Sequence, residues 1–396
     1  MTRRLILLAA ILGVIGALPI AGASATPRVH SRRVCPLSRS ATRAECFAWV
    51  RTDAGGRPLV RAPEVSGYGP SEFHSAYNLP TTSPTNQTIA IVDAYRNPNI
   101  YSDLNAYNAQ FGLPAFPKCS SPTQTSCIIA LNQNGKRTPL PAGNTGWGLE
   151  QALDVQVAHA ICQNCRILLF ETKSNSFSSL AAGVNSAARL GANVISNSYG
   201  AFGYDCLQSG YNHPNVAITV SSGDSGFGIS CPAIENTVVS VGGTTLTLDG
   251  SGNYVSESVW NGAGSGCSHV SSAQSWQTSA SNWSAINCGT KRGSNDVSAD
   301  ADPATGAAVY DTYGYGGWLQ VGGTSLSAPL IAAVYALAAN SSTWAYPAQS
   351  VYNSPGSLRD VTTGSNGSCS FTLQCNAGVG FDLPTGIGTP NGLGGF

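Results

Sequence analysis

The sequence predicts an α/β fold in which a central parallel sheet is flanked by helices on both sides. Four short, continuous apolar runs rich in β-branched residues have the composition of strands buried on both faces, and they occupy residues 88–92, 166–170, 193–196 and 216–220. Helical patterns lie between these runs, at residues 102–111, 148–162 and 178–190. Strands that alternate with helices favour a parallel sheet, and functional residues then lie at the carboxyl ends of the strands.

The N-terminus has the three parts of a secretory signal peptide. Arg3 and Arg4 precede a continuous apolar run, residues 5–18, and the small residues 23–25 follow it. This run is too short to span a bilayer comfortably, so we expect residues 1–25 to be cleaved and the protein to be secreted and extracellular. An uncleaved anchor is the alternative. No later segment is apolar enough to span a membrane, so we expect no membrane association after signal cleavage.

The rest of the chain divides into a short extension and one domain. Residues 26–66 contain two cysteines and little periodic apolar pattern, which is typical of a disulfide-tied extension. Residues 67–396 contain no linker that would separate domains, and a length of about 330 residues suits one large domain. We expect this domain to be monomeric.

The twelve cysteines all follow residue 25, and an even number in an exported chain favours disulfides. Neighbours in sequence could pair as 35/46, 119/127, 162/165, 206/231, 267/288 and 369/375, although the sequence leaves the connectivity open. Cys162 and Cys165 form a C-x-x-C motif, for which a redox or zinc role is the alternative.

Charged residues are few and balanced. They make up 10% of the chain, with 20 Lys and Arg against 20 Asp and Glu. This balance argues against partners such as nucleic acid or an anionic membrane surface. Sparse charge also limits self-repulsion when carboxylates are protonated, so the composition permits function in acid.

The most informative motif is a serine on a glycine-rich turn. Residues 322–329, GGTSLSAP, lead directly into the apolar segment 330–339. A serine at a helix N-terminus has backbone N–H groups beside its hydroxyl, which is the geometry of an acyl-transfer nucleophile, so we predict Ser325 as the nucleophile. None of the five histidines lies in a His-Gly-Thr-His turn, so we expect a base of another type.

Carboxyl groups are the candidates for that base. Glu150 and Asp154 are four residues apart in a predicted helix, so their side chains lie on neighbouring positions of one face. In a cleft such a pair could share a proton, which raises one pKa. Asp224 follows the predicted strand 216–220 on a glycine turn, where it can face the same cleft. A solvated helix pair and an ordinary turn aspartate are the alternatives.

Taken in order, these motifs resemble those of the sedolisin family, the serine-carboxyl peptidases. The matching segments are Glu-x-x-x-Asp at 150–154, Ser-Gly-Asp-Ser-Gly at 222–226 and Gly-Thr-Ser-x-Ser-Ala-Pro at 323–329, with further similarity at 89–95, 296–303 and 380–388. The likeness extends from Tyr68 to the C-terminus. It implies a subtilisin-like three-layer fold with a central parallel sheet flanked by helices.

The resemblance implies a secreted endopeptidase that hydrolyses polypeptide substrates at acidic pH. Ser325 is then the nucleophile, Glu150 the general base and acid, Asp154 the group that orients Glu150, and Asp224 the oxyanion donor. Carboxyl groups with an ordinary pKa near 4 suit acidic medium, where histidine is protonated and cannot act as a base. Asp224 can donate to an oxyanion only while it holds a proton, so we expect activity to fade as pH rises.

Two alternatives remain open. Asp93, His159 and Ser325 follow the chain order of a subtilisin triad. However, His159 lies about two and a half helical turns beyond Glu150, so the two cannot both address one serine, and we expect His159 to be a packed helix residue. A catalytically silent relative that binds peptides or surface polymers is the second alternative.

The resemblance also implies a calcium site, a substrate cleft and a prodomain. The calcium ligands fall on the carboxylates of Asp360 and Asp382 and the carbonyls of Val361, Gly378 and Gly380, an all-oxygen set that Ca²⁺ prefers; a glycine-rich turn with unrelated aspartates is the alternative. We expect an extended substrate to pair with the backbone of Ser198, Tyr199, Gly200, Ser222 and Gly223. Family members usually carry a large prodomain, and the roughly 40 residues before Gly67 are too few to bury a core of their own.

Overall fold

The computed structural model describes residues 29–61, 64–121, 124–207 and 209–396. The predicted signal peptide, residues 1–25, lies outside these ranges. The described strands are β1 His30–Arg33, β2 Glu45–Cys46, β3 Trp49–Thr52, β4 Thr88–Ala94, β5 Ile128–Asn132, β6 Arg166–Thr172, β7 Val194–Asn197, β8 Tyr199–Phe202, β9 Ala217–Ser221, β10 Ser230–Cys231, β11 Val239–Leu248, β12 Tyr254–Val259, β13 Gly266–Ser272, β14 Lys291–Ser294, β15 Val297–Asp300, β16 Ala307–Asp311, β17 Gly317–Gly322, β18 Leu358–Arg359 and β19 Thr389–Pro390. The described α-helices are α1 Pro70–Tyr77, α2 Ile100–Phe111, α3 Thr145–Ile161, α4 Phe177–Arg189, α5 Ser275–Thr278, α6 Trp283–Ile286, α7 Thr324–Ala338 and α8 Gln349–Asn353.

The central sheet has eight strands. Seven follow the order β12-β11-β9-β7-β4-β6-β5, and β15 pairs with β11. All pairings are parallel except that of β12 with β11. The four apolar runs found in the sequence are β4, β6, β7 and β9, which are neighbours in the middle of this sheet. Their continuous apolar character follows from this position, since both faces of a central strand are covered.

Alternate residues of these strands belong to two different cores. On β4, Ile89 and Ile91 pack in the core that contains the apolar residues of α3 and α7. Ala90 and Val92 pack in the core that contains Leu180 and Val184 of α4. The sheet therefore lies between two helical layers, and the predicted three-layer α/β fold is confirmed.

Helix α7 runs through the interior. Every residue from Thr324 to Leu337 is buried. A helix that is apolar all round must be covered on all sides, which explains why residues 330–339 lack a polar stripe. Because α7 follows β17 after Gly323, its N-terminus lies at the end of that strand.

Residues 29–61 pair with strands of the domain. β1 and β3 join β17 and β16 in a four-stranded antiparallel sheet, and β2 pairs with β8. The side chains of Phe47, Ala48 and Val50 are fully buried. Strands of two to four residues are too short to show a hydrophobic period, so these strands could not be predicted from the sequence.

All six disulfides join neighbouring cysteines. The pairs are 35/46, 119/127, 162/165, 206/231, 267/288 and 369/375, which confirms the pairing considered from the sequence. Cys162 and Cys165 are bonded to each other, so neither thiol is free to bind zinc. Within the described residues, no helix has the length and apolar character needed to cross a membrane.

Candidate active site

Ser325 occupies the second position of α7, after a glycine that no other residue could replace. Gly323 has φ of 96°, and a Cβ there would lie 1.8 Å from the Phe47 carbonyl oxygen and 2.6 Å from Asp224 Oδ2. The Ser325 hydroxyl is fully buried and donates to the Ser198 carbonyl at 3.1 Å. The glycine therefore allows a peptide carbonyl and a carboxyl oxygen to crowd the N-terminus of the serine helix.

Glu150 and Asp154 project from α3, which packs against α7. Both side chains are fully buried, so they are not a solvated helix pair. Glu150 Oε2 accepts a hydrogen bond from the Ala48 backbone N–H at 3.1 Å, while Oε1 has no partner. Burial raises the pKa of Glu150 well above its ordinary value, and the neighbouring Ser325 hydroxyl opposes that rise.

Asp93 completes a buried cluster of three carboxyl groups. It lies near the carboxyl end of β4 and is fully buried, with no hydrogen-bond partner for either oxygen. After burial, the charge of Asp93 is the largest effect that raises the pKa of both Glu150 and Asp154. Burial, followed by the charge of Glu171, raises the pKa of Asp93 itself. Like charges this close cannot all ionise, so the cluster retains protons. The sequence signal for this position was an acidic residue at the end of an apolar strand.

Asp224 faces the same serine from the loop after β9. Its Oδ1 accepts hydrogen bonds from Thr324 N–H at 2.9 Å and from the Thr324 hydroxyl at 2.7 Å. Its Oδ2 is buried without a partner. Burial raises the pKa of Asp224 to about 7, although the Thr324 hydrogen bonds and the Arg33 charge oppose the rise. Below that pH the unpartnered oxygen can carry a proton and donate it in a hydrogen bond.

The residues predicted to contact substrate lie around these groups. Ser198, Tyr199 and Gly200 lie at β8, and Ser222 and Gly223 follow β9. The aromatic ring of Phe47 lies between two of the glycines, since a Cβ at Gly200 would lie 2.8 Å from its Cε2 and one at Gly223 would lie 3.8 Å from its Cζ. The Tyr199 hydroxyl donates to Asn197 Oδ1 at 2.8 Å inside the core, so Tyr199 can present only backbone to the cleft.

His159 lies apart from these groups. It is fully buried on α3, and its ring lies 4.0 Å from the ring of Phe116 between centroids. Burial lowers its pKa to about 4, and neither Asp93 nor Ser325 contributes to that shift. No histidine is among the groups that shift the pKa of Glu150, Asp154 or Asp224.

The predicted calcium ligands also come together. Gly380 N–H donates to Asp360 Oδ2 at 2.8 Å, and Gly378 N–H donates to Asp382 Oδ2 at 2.9 Å; Val361 follows Asp360 in the chain. Burial raises the pKa of Asp382 to about 7, and the negative charge of Asp360 contributes to the rise. Two neighbouring carboxylates are ligands of the type that a hard divalent cation prefers. One other group of potential ligands in the described residues, Cys206, Cys231 and Glu235, contains a disulfide and does not fit a metal.

Comparisons with known proteins identify relatives by sequence and by structure. Sedolisin from Pseudomonas sp. (strain 101) is 29% identical over 89% of this chain and 64% of that protein. Xanthomonalisin from Xanthomonas sp. (strain T-22) is 27% identical over 83% of this chain and 46% of that protein. A solved structure described as Pseudomonas sedolisin, a serine-carboxyl proteinase complexed with two molecules of pseudo-iodotyrostatin, matches with a TM-score of 0.67 and 28% identity, covering 83% of this chain and 96% of that chain. No family model matches the chain.

The fold and the site together define a subtilisin-like α/β protein in which a buried serine is surrounded by carboxyl groups. The similarity to sedolisin in both sequence and structure covers most of the chain. It confirms the resemblance to the sedolisin family seen in the sequence. The chain spans 64% of the length of sedolisin and 46% of the length of xanthomonalisin.

Proposed function

We propose that the protein is a secreted serine-carboxyl endopeptidase that hydrolyses peptide bonds of polypeptides in acidic medium. The observation that carries this proposal is the convergence of Ser325, Glu150 and Asp224 in one buried site. A peptidase of this kind needs a nucleophile, a base and an oxyanion donor within reach of one carbonyl group.

The roles follow from the geometry of each group. Glu150, when ionised, takes the Ser325 hydroxyl proton as Oγ attacks the substrate carbonyl, and then gives that proton to the leaving amine. Asp154, one helical turn away, and Asp93 set the proton affinity of Glu150 through their charge. Asp224 carries its proton on Oδ2 and donates to the developing oxyanion. Water then attacks the acyl-enzyme, with Glu150 again accepting and returning a proton.

Calcium binding and secretion are parts of the same proposal. Asp360, Val361, Gly378, Gly380 and Asp382 would hold Ca²⁺, which would neutralise the repulsion between the two carboxylates and stabilise the C-terminal loop. Six disulfides are typical of proteins that fold in an oxidising compartment outside the cytosol. We expect the catalytic unit, residues 67–396, to act as a monomer on extended peptides.

Hydrolysis of casein and of a quenched fluorescent peptide tests the proposal. The full chain and Ser325→Ala are compared across the range from about pH 3 to pH 8. We expect activity that is highest in acid and absent from Ser325→Ala. Activity that peaks above about pH 7, or that survives in Ser325→Ala, would rule out the assigned base and nucleophile. Peptide binding without hydrolysis at any pH would favour the silent relative.

A further inference from the structure

The loop that carries Asp224 contains three glycines with positive φ. Gly223, Gly226 and Gly228 have φ of 112°, 76° and 150°. Such a loop has little stiffness of its own, because glycine has no side chain to restrict its backbone. An oxyanion donor, however, is effective only when it is held within a fraction of an ångström of its place. The position of Asp224 therefore depends on bonds from outside the loop.

Segment 262–265 supplies such bonds. Gly264 N–H donates to the Gly223 carbonyl at 2.8 Å. The N–H groups of Gly226 and Gly228 donate to two other carbonyls of the segment, each at 2.8 Å. The segment thus supports the glycine loop both before and after Asp224. A displacement of the segment would displace the loop with it.

Gly264 also packs directly against the chain before Asp224. A Cβ at Gly264 would clash with the carbonyl oxygen of Ser222. Ser222 and Gly223 belong to the edge on which we expect substrate to pair. Because the packing leaves no free space at this point, a shift of Gly264 is passed on to both residues.

The side chain of Asn295 binds the carbonyl of Gly264. Asn295 is fully buried, and its Nδ2 donates to the Gly264 carbonyl at 3.0 Å. The same nitrogen donates to the carbonyls of Leu383 at 2.9 Å and Pro384 at 3.0 Å. Asn295 Oδ1 accepts a hydrogen bond from the Ser240 hydroxyl at 3.0 Å. The amide therefore ties Gly264 to two other parts of the domain.

The donors of this amide are essential to the arrangement. Its two N–H bonds are directed at three carbonyl oxygens, which can only accept. A buried carbonyl that loses its donor must find another partner or reach water. Without the Asn295 amide, we expect segment 262–265 to move until the Gly264 carbonyl has a new partner.

We propose that Asn295 is a positioning residue for the oxyanion donor: it fixes Gly264, and Gly264 fixes the loop that carries Asp224. The proposal rests on the peptidase function proposed above. The hydrogen bonds of the Asn295 side chain go to none of Ser325, Glu150 and Asp224, so its effect passes through the backbone. Loss of the amide displaces the oxyanion donor and leaves the nucleophile and the base in place.

The test is kcat for the quenched peptide at about pH 4, at a temperature well below the lowest Tm of the set. Asn295→Leu has a similar volume but no hydrogen-bonding group. We expect its kcat to fall about 10- to 100-fold, as for a displacement of about 1 Å at a reacting centre. Asn295→Asp is the conservative variant, because a protonated carboxyl group still donates one hydrogen bond in acid. Its kcat should stay within about threefold of the wild type.

A double-mutant cycle with Asp224→Ala distinguishes positioning from a general loss of structure. In this background the oxyanion donor is already absent, so Asn295→Leu should change kcat by less than about threefold. If Asn295 acted through the nucleophile or the base, the substitution would cost the same factor in both backgrounds. Ca²⁺ is present in every assay, because Leu383 follows the proposed calcium ligand Asp382.

Asn164→Leu is the matched control. Asn164 Nδ2 donates to the Ser83 carbonyl at 2.9 Å, and its Oδ1 accepts from the Ser83 N–H at 2.8 Å. This bridge between two loops lies just before β6, at the amino ends of the parallel strands. The substitution should lower Tm and leave kcat unchanged, so a loss of kcat in Asn164→Leu would show that any weakened fold is less active and would contradict a specific role for Asn295.

Other outcomes separate this inference from the proposed function. If Asn295→Leu folds and keeps kcat within about twofold of the wild type, or loses the same factor with and without Asp224, the inference is wrong and the peptidase function stands. If Asn295→Leu does not fold, Asn295→Ala, which leaves room for a water molecule, is judged by the same criteria. If the wild type does not hydrolyse the peptide at any pH, the proposed function fails and this inference fails with it.

Discussion

Asp224→Asn isolates the protonation of the oxyanion donor from its geometry. Asp224 Oδ1 accepts two hydrogen bonds from Thr324, and an asparagine Oδ1 would accept the same two. The asparagine amide would then occupy the place of the unpartnered Oδ2, where it donates at every pH. The variant therefore keeps the donor and removes its titration.

The expected size of the effect follows from the pKa of Asp224, which burial raises to about 7. Above that pH the protonated fraction of the wild-type side chain falls about tenfold per pH unit. The ratio of kcat for Asp224→Asn to kcat for the wild type should thus be flat in acid and rise up to tenfold per unit above about pH 7. Asp224→Ala, which has no donor, should lose about 10²–10³ in kcat in acid, or about 3–4 kcal/mol.

The assay is kcat against pH for the three proteins with a quenched peptide at saturating concentration. Ser325→Ala sets the background, and circular dichroism at each pH shows that the proteins remain folded. If the wild type and Asp224→Asn lose activity in parallel above pH 7, then the loss does not come from deprotonation of Asp224. If Asp224→Ala is as active in acid as the wild type, the side chain is not an oxyanion donor.

Three further predictions concern the base, the stability of the fold and the calcium loop. Glu150→Gln keeps the side-chain shape but cannot take a proton, so the rate of hydrolysis of the quenched peptide should fall by at least about 10²-fold. His159→Gln should keep most activity. If His159→Gln were inactive and Glu150→Gln active, the triad of Asp93, His159 and Ser325 would be favoured instead. Burial raises the pKa values of Asp224 and Asp382 to about 7 and of Glu171 to about 8. Unfolded chains release these protons near pH 4, so the free energy of unfolding of calcium-free Ser325→Ala should fall between about pH 4 and pH 8, by up to about 1.4 kcal/mol per group and pH unit, and Tm should fall with it. Burial lowers the pKa of His159 to about 4, so this residue makes the protein more stable as pH rises toward about 6.5. Its effect is smaller than the combined effect of Asp224, Asp382 and Glu171. A Tm that rises from about pH 4 to pH 8 would therefore contradict the raised pKa values of these three carboxyl groups. Chelation should lower Tm of the wild type but not of Asp382→Asn, and equal Tm values for the wild type with Ca²⁺ and with chelator would exclude the calcium site.

The elements that the sequence predicted well are those whose pattern depends only on their own burial. A central parallel strand must be apolar on both faces, so the sequence predicted β4, β6, β7 and β9 as continuous apolar runs. Helix α3 was visible from its apolar stripe, although the stripe gave no sign that Glu150 and Asp154 are buried too. Their burial depends on how α3 meets α7, which is a tertiary contact that no local pattern encodes.

The place of Asp93 and the course of residues 44–52 could not be predicted for the same reason. Asp93 is brought to Glu150 by the position of β4 in the sheet, which is set by pairings with β6 and β7 far along the chain. Residues 44–52 form strands only because edges at β8 and β17 receive them. A segment whose structure is imposed by its partner carries little signal of its own.

The strand in the cleft and the carboxyl chemistry depend on each other. Burial is the first cause that raises the pKa of Glu150 and of Asp224, and Phe47 and Ala48 form part of the cover over both groups. Exposure of these carboxyl groups to water would move their pKa values back toward the ordinary range. We expect an extended peptide in the same place to exclude water in the same way, so that Asp224 would hold its proton most firmly when a carbonyl group is present to accept its hydrogen bond.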